Sequence, residues 1–344
     1  MPGISRKRRI SLTVLFILSS ACSNHFDPVK HPAHHLAFWQ SIGLKNLPLE
    51  QRAIPAPSLL IDYLRKDNRL QGFSEQPETT LPTSEFMVDL QSAIRELPEA
   101  VKKTVGARLY GICFVKNLGG TAFSTSVLSE KDEPVGGFIV LDSSVVNRRA
   151  NEWITWKENS PFSAEPGYEL TAKIESQESD NNRKNAIQFI LLHEFGHVIA
   201  TANSFHPPWT QKPSLEIHPK KYSFSALSWT LNADNHYETL FDDHFRLRNL
   251  IQYYRGPETR LRLSAAIEAY ESLKKTNFAT LYAITTPADD FAEAFATYVH
   301  VALMNRPYEI QIKKNGAIIE TFSPCWGDPR CDSKKAILQQ ILGR

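Results

Sequence analysis

The stretch ILLHEFGHVIATAN, residues 190–203, constrains this chain more than any other. It is too apolar for a surface segment and too long for a strand, so it predicts a helix packed inside the molecule. Asp180 or Asn181 would cap its start, and the prolines after Asn203 would end it. Such a helix carries His193, Glu194 and His197 into the core. His193 and His197 then sit one turn apart and project from one face. Neutral imidazoles so placed suit a zinc ion. Glu194, about 100° round from His193 and about 60° from His197, lies beside that ion without having to bind it. A carboxylate there can take a proton from metal-activated water. Gly196 has no side chain to crowd the site, at a cost of about 1 kcal/mol in a helix interior. Two core histidines with ordinary hydrogen bonds would give the same short pattern, so the decision rests on a third ligand.

A catalytic zinc takes three protein ligands and keeps one open position. A third histidine six residues after the second, with a glycine between, would complete one known pattern. Ala200 and Asn203 stand at those places, which excludes it. The third ligand must come from a second segment, and PADDFAEAFATYVH, residues 287–300, is the best one. With Glu293 at zero on a helical wheel, Asp289 falls at about −40°, His300 at about −20° and Thr297 at about +40°. Phe291, Phe295 and Val299 lie opposite. Glu293, flanked by Ala292 and Ala296, can approach a neighbouring helix closely, which makes it the expected third ligand beside His193 and His197. Asp289 reads both as part of a Thr286-Pro287-Ala288-Asp289 helix cap and as a group that orients a ligating imidazole. Asp290 is its rival for the second role.

The compartment is legible at the start of the chain. Arg6, Lys7, Arg8 and Arg9 precede an apolar run, Ile10 to Leu18, followed by small residues and Cys22. This is the order of an export signal, over residues 1–21. The apolar run is far short of the roughly 20 residues that span a bilayer. The Cys22 position resembles a bacterial lipoprotein signal, which implies a lipid anchor on Cys22, although Ser19 stands where that signal usually has Leu. Periplasm or outer membrane is the expected location. Removing the leader takes four of the 39 basic residues and none of the 37 acidic ones, so 35 face 37. A nucleic-acid partner then has no electrostatic support. Export permits disulfides, and CWGDPRC sets Cys325 and Cys331 around a turn where a local bridge is plausible. Cys113, in LYGICFVK, reads as a buried thiol.

Residues 22–56, with His25, His31, His34 and His35, read as a solvated tether, and 57–344 as one catalytic domain with a helical subdomain at 57–105. ARLYGICFV and GGFIVLD read as strands, with the second as the candidate edge beside the cleft. Residues 151–180 are polar and irregular. Residues 206–229, with four prolines, form a long loop. Residues 233–254 and 257–275 read as helices, and YEIQIKKNGAIIETF as a hairpin around Asn315-Gly316. Helices, then strands, then mainly helices indicate an α+β fold.

HEFGH followed by DDFAEAFATY resembles the gluzincin metallopeptidases, in particular secreted lethal-factor-like members. The likeness covers the two helices and well under half the chain. It implies a zincin-like domain with a small mixed sheet, a zinc cofactor, His193, His197 and Glu293 as ligands, and Glu194 as general base. The implied activity is endopeptidase action on a protein or peptide. In thermolysin-like members an Asp four residues after the ligand Glu orients a histidine; Thr297 stands there, so that role is not carried over. The lethal-factor-like Tyr two turns before the ligand Glu corresponds to Thr286, with Tyr282 one turn earlier. Tyr282, His300, Tyr237 and His236 are therefore open candidates for an oxyanion donor. Two rival readings are a zinc hydrolase of cell-wall peptides and an exported metal-binding or interaction protein without turnover.

Overall fold

The computed structural model describes residues 26–208 and 212–343. The leader, Cys22 and His25 lie outside them. Packing starts at Phe26, not at residue 57. His31 and His34 are buried, and Trp39 of α1 (Leu36–Ile42) is fully enclosed, its indole Nε1 donating to Ala33 O at 2.8 Å. The segment read as a tether is thus part of the fold, because its apolar and ring-bearing residues have a sheet face to cover.

Next come β1 (Ala53–Pro55), α2 (Ser58–Gln71), β2 (Glu78–Thr79), α3 (Ser84–Arg95) and α4 (Glu99–Gly106). β3 (Leu109–Lys116), β4 (Ala122–Leu128) and β5 (Pro134–Asp142) complete the main sheet. Its order is β1-β3-β5-β4, with β1, β3 and β5 parallel and β4 antiparallel at the edge; β2 pairs with the end of β3. Side chains alternate between the sheet's faces. Cys113, Val115, Phe138 and Val140 meet α1 and α2, while Ile112, Phe114, Ile139 and Leu141 join the larger core with α3, α4 and the rest of the chain. Residues 57–105 therefore do not form a subdomain: α2 covers one face, α3 and α4 the other.

GGFIVLD lies in β5, an interior strand, and the edge belongs to β4. The reason is burial. β5 is enclosed on both faces over Gly136–Asp142, as a central strand must be. The Ser/Thr-rich β4 tolerates a half-open position.

The region 151–180 is more regular than its polarity suggests. It holds most of α5 (Ala150–Asn159), then β6 (Phe162–Ser163) and β7 (Tyr168–Lys173). α6 (Arg183–Asn203) follows, with Asn182 Oδ1 accepting from Asn185 N at 3.0 Å as its cap. α6 packs across β4 and β5 on the larger-core face. After a loop come β8 (Trp229–Leu231) and β9 (Tyr237–Thr239), a short hairpin. The helix expected over 233–254 is absent. Asp242 instead gathers the Thr239 amide and hydroxyl and the Arg248 guanidinium, and such local side-chain bonds compete with helix formation. The helix expected over 257–275 is confined to α7 (Ala265–Leu273), preceded by β10 (Leu261–Arg262) beside β6.

α8 (Pro287–Thr297) runs on into a π-helical turn, Tyr298–Leu303. β11 (Glu309–Lys314) and β12 (Ala317–Phe322) form the expected hairpin, with positive φ at both Asn315 and Gly316. β11 also pairs with β7. α9 (Asp332–Ile341) closes the chain, behind the Cys325–Cys331 disulfide. Cys113 is free and buried. The architecture is mixed α and β with a small mixed sheet. No helix among the described residues is long and apolar enough to cross a membrane.

Candidate metal centre

α6 and α8 cross at Gly196. A Cβ there would stand 2.7 Å from Ala292 Cα, so only glycine permits this approach. The glycine serves the helix contact, which in turn brings the faces of His193 and Asp289 together.

His193 Nε2 and His197 Nε2 are 3.1 Å apart. Asp289 Oδ1 lies 3.9 Å from the first and 3.7 Å from the second. Ligands of a tetrahedral zinc stand roughly 3.3 Å apart when the bonds are about 2.0–2.1 Å long. These three atoms could therefore hold a metal ion after small shifts. Asp289 keeps Oδ1 free because its Oδ2 accepts from the Thr285 and Thr286 hydroxyls at 2.9 and 2.8 Å. Thr286 Oγ1 in turn accepts from Asp289 N at 3.0 Å, so the helix cap and the approach to the imidazoles coexist.

Glu293, the expected third ligand, is brought elsewhere. It is fully buried, and its Oε1 accepts from the outer nitrogen of His193, Nδ1, at 2.9 Å. Its Oε2 accepts from Lys157 Nζ at 3.0 Å and Thr280 Oγ1 at 2.7 Å. Both oxygens are occupied, on the far side of the imidazole from the point where the ligand atoms converge. This fixes the His193 tautomer as Nδ1–H and turns the Nε2 lone pair to the site. Asp289 and Glu293 share one stripe of α8, so helical spacing alone does not tell which of them faces the two imidazole Nε2 atoms. Asp290 is not a rival: it accepts from Lys334 Nζ at 2.5 Å and Trp229 Nε1 at 3.0 Å, away from the imidazoles.

Burial dominates the titration of the groups around this point. Burial raises the Asp289 carboxyl, partly offset by His193 and the two threonines. Burial likewise raises Glu194, with His193 opposing. His197 is held well below the usual histidine range by burial and then by His193 beside it. For His193 burial also pulls down, but the hydrogen bond and charge of Glu293 outweigh it.

A cleft of about 1490 Å³ opens over His193 and Glu194. Ala122 of β4, Trp156, Tyr254 and Tyr282 are among the residues that line it. A second hollow of about 620 Å³ continues past His197, lined by Phe123, Pro213 and Tyr237. Together they exceed the roughly 300–1,000 Å³ of a small-molecule pocket and run along an edge strand. Among the oxyanion candidates, Tyr282 is placed best, its ring centre 5.7 Å from that of His193. Tyr237 lies on the second hollow. His300 is turned away and shares its Nε2 with the Ile174 and Pro307 carbonyls. His236 is exposed at the β8–β9 turn. Lys157, Thr280 and Tyr254 were not singled out from the sequence. Their elements carry no motif, and only the fold brings them to α8.

No family model, no curated protein and no solved structure matches the chain.

Proposed function

We propose that the protein is a zinc-dependent endopeptidase, with His193, His197 and Asp289 as metal ligands and Glu194 as general base. The observation that carries this reading is the convergence of His193 Nε2, His197 Nε2 and Asp289 Oδ1 beside Glu194, in the hollow that shares His193 and Glu194 with the larger cleft. A zinc ion held there supplies a Lewis acid that lowers the pKa of water and polarises a carbonyl. Glu194, raised by burial, takes the proton from the attacking water and passes it to the leaving amine. Tyr282 would donate a hydrogen bond from its hydroxyl to the developing oxyanion. β4 ends the sheet beside this cleft, the position at which an extended peptide can add as a further strand. The ligand and orienting carboxylates are exchanged relative to thermolysin-like enzymes: here an Asp would ligate, and a Glu four residues later orients the first histidine.

The substrate class is a protein or peptide, with no role for nucleic acid. The Cys325–Cys331 bridge favours an oxidising compartment, in keeping with export to the periplasm or outer membrane and an anchor on Cys22.

Glu194→Gln tests the reading. Purified protein should keep one zinc per chain while cleavage of an unfolded protein substrate falls by at least about 100-fold. Wild-type protein that takes up zinc but cleaves no protein or peptide would sink it.

A further inference from the structure

α8 presents two carboxylates one turn apart, and either could serve a metal by type. What differs is who already holds them. Asp289 has one free oxygen, facing the two imidazoles; Glu293 has none. The group that completes the occupation of Glu293 comes from α5. The Lys157 side chain is only 3% exposed, and its Nζ has three protons to place. One goes to Glu293 Oε2 at 3.0 Å and one to Glu158 Oε1 at 3.3 Å, and the ammonium lies 4.9 Å from the centre of the Tyr282 ring.

The lysine cannot easily follow Glu293 if that side chain moves, because Glu158 is itself clamped. Tyr253 and Tyr270 donate to Glu158 Oε2 at 3.0 and 2.7 Å, and Tyr308 donates to Oε1 at 2.9 Å. These tyrosines come from three separate segments: the loop before β10, α7 and the entry to β11. The clamp is therefore built into the fold around the site, and its fixed end is remote from the metal position.

We propose that Lys157 selects the third metal ligand: by occupying Oε2 of Glu293 it holds that carboxylate on His193 Nδ1 and leaves the metal position to Asp289. This rests on the metal-centre reading above. Lys157 is a positioning residue, acting through Glu293. Thr280 helps, but a neutral hydroxyl alone holds a carboxylate less firmly than a charge-assisted bond.

The test is a zinc competition titration against a chromophoric chelator on four full-length proteins: wild type, Asp289→Asn, Lys157→Met and the double variant. In the wild-type background Asp289→Asn should weaken zinc binding by more than about 100-fold, beyond what loss of an outer partner costs. In the Lys157→Met background Glu293 is released to ligate, so the same change should cost less than about 10-fold. Such non-additivity marks coupled residues. Lys157→Arg keeps a charged donor and should restore the full penalty, which a merely structural role would not. If Lys157→Met does not fold, Lys157→Met with Glu158→Gln removes the pair together and serves in its place. An equal Asp289→Asn penalty in both backgrounds overturns the proposal. So does a wild-type protein whose zinc affinity ignores Asp289→Asn but collapses in Glu293→Ala, an outcome that keeps the metal centre. A wild type that binds no zinc overturns both readings.

Discussion

Helix α8 is pinned on two sides by buried lysine–carboxylate pairs. On one side Lys334 of α9 meets Asp290 at 2.5 Å; on the other Lys157 of α5 meets Glu293 at 3.0 Å. All four side chains are buried, yet the pairs titrate in opposite directions. Burial raises the Asp290 carboxyl despite Lys334, and burial lowers the Lys334 ammonium despite Asp290. Burial works against Glu293 and Lys157 too, but their partners outweigh it. Glu293 is held down to about 2 by Lys157, His193 and Thr280, and Lys157 is raised by Glu293 and Glu158. The shorter pair is the less comfortable one. Each carboxylate has three hydrogen-bonding partners, but Glu293 faces two groups that can carry positive charge, Lys157 and His193, and Asp290 only Lys334, so the charge around the carboxylate outweighs the single closest distance.

If that is right, breaking the network should cost most. Lys157→Met leaves Glu158 and Glu293 buried without their cation, and the expected loss is about 3–5 kcal/mol of unfolding free energy. Urea denaturation of the metal-free protein measures it. A loss below about 1 kcal/mol would mean that the network is no better bound than the isolated pair.

Acid should next separate the two carboxylates by sign. Glu293 is depressed from 4.5 to about 2, so its contribution is fully present above pH 4.5 and is lost as pH falls through 2. Wild type should therefore lose about 2 kcal/mol relative to Glu293→Gln between pH 6 and pH 3. Asp290 is raised above 3.8, so the folded state binds its proton more tightly. Its contribution falls as pH rises from 3.8 through its folded value, and Asp290→Asn should remove a slope of opposite sign. Denaturation midpoints of the three proteins across pH 3–6 decide the matter. Parallel curves would erase the contrast.

The same contrast explains what could be read from the chain. His193, Glu194 and His197 were legible because a period of 3.6 places them in an apolar helix, where any polar group needs a reason. α8 was legible for the same cause, with its Thr286-Pro287 start. The choice between Asp289 and Glu293 was not, because they lie about 40° apart on one stripe. Their difference comes from Thr285, Thr286, Thr280 and Lys157, two of them from other segments. α5 was hidden for a related reason: residues 151–180 read as polar and irregular, and only the three tyrosines and Glu293 make Lys157 and Glu158 part of the core. β4 escaped because Ser124, Thr125 and Ser126 give a polar edge no strong strand signal. The absent helix over 233–254 had apolar residues at workable spacing, but Asp242 outcompetes it locally. Burial of charge depends on partners distant in sequence, and pattern reasoning has no access to them.

The smallest effect belongs to the isolated pair. Replacing both members together, Asp290→Asn with Lys334→Met, removes two charges that burial disfavours. The introduced amide carbonyl would keep an acceptor for Trp229 Nε1, and the introduced thioether chain would retain most of the volume against Phe224 and Phe278, whose rings now lie beneath the ammonium. Buried pairs exchanged for groups of similar shape are often neutral or better, so the unfolding free energy should change by less than about 1 kcal/mol. Zinc affinity should stay within about 2-fold of wild type, because neither residue contacts His193, His197, Asp289 or Glu293 by a hydrogen bond. A loss of several kcal/mol, or of zinc, would show that Lys334 sets the position of α8 as firmly as Lys157 does, and the two sides of the helix would then have to be treated as one network.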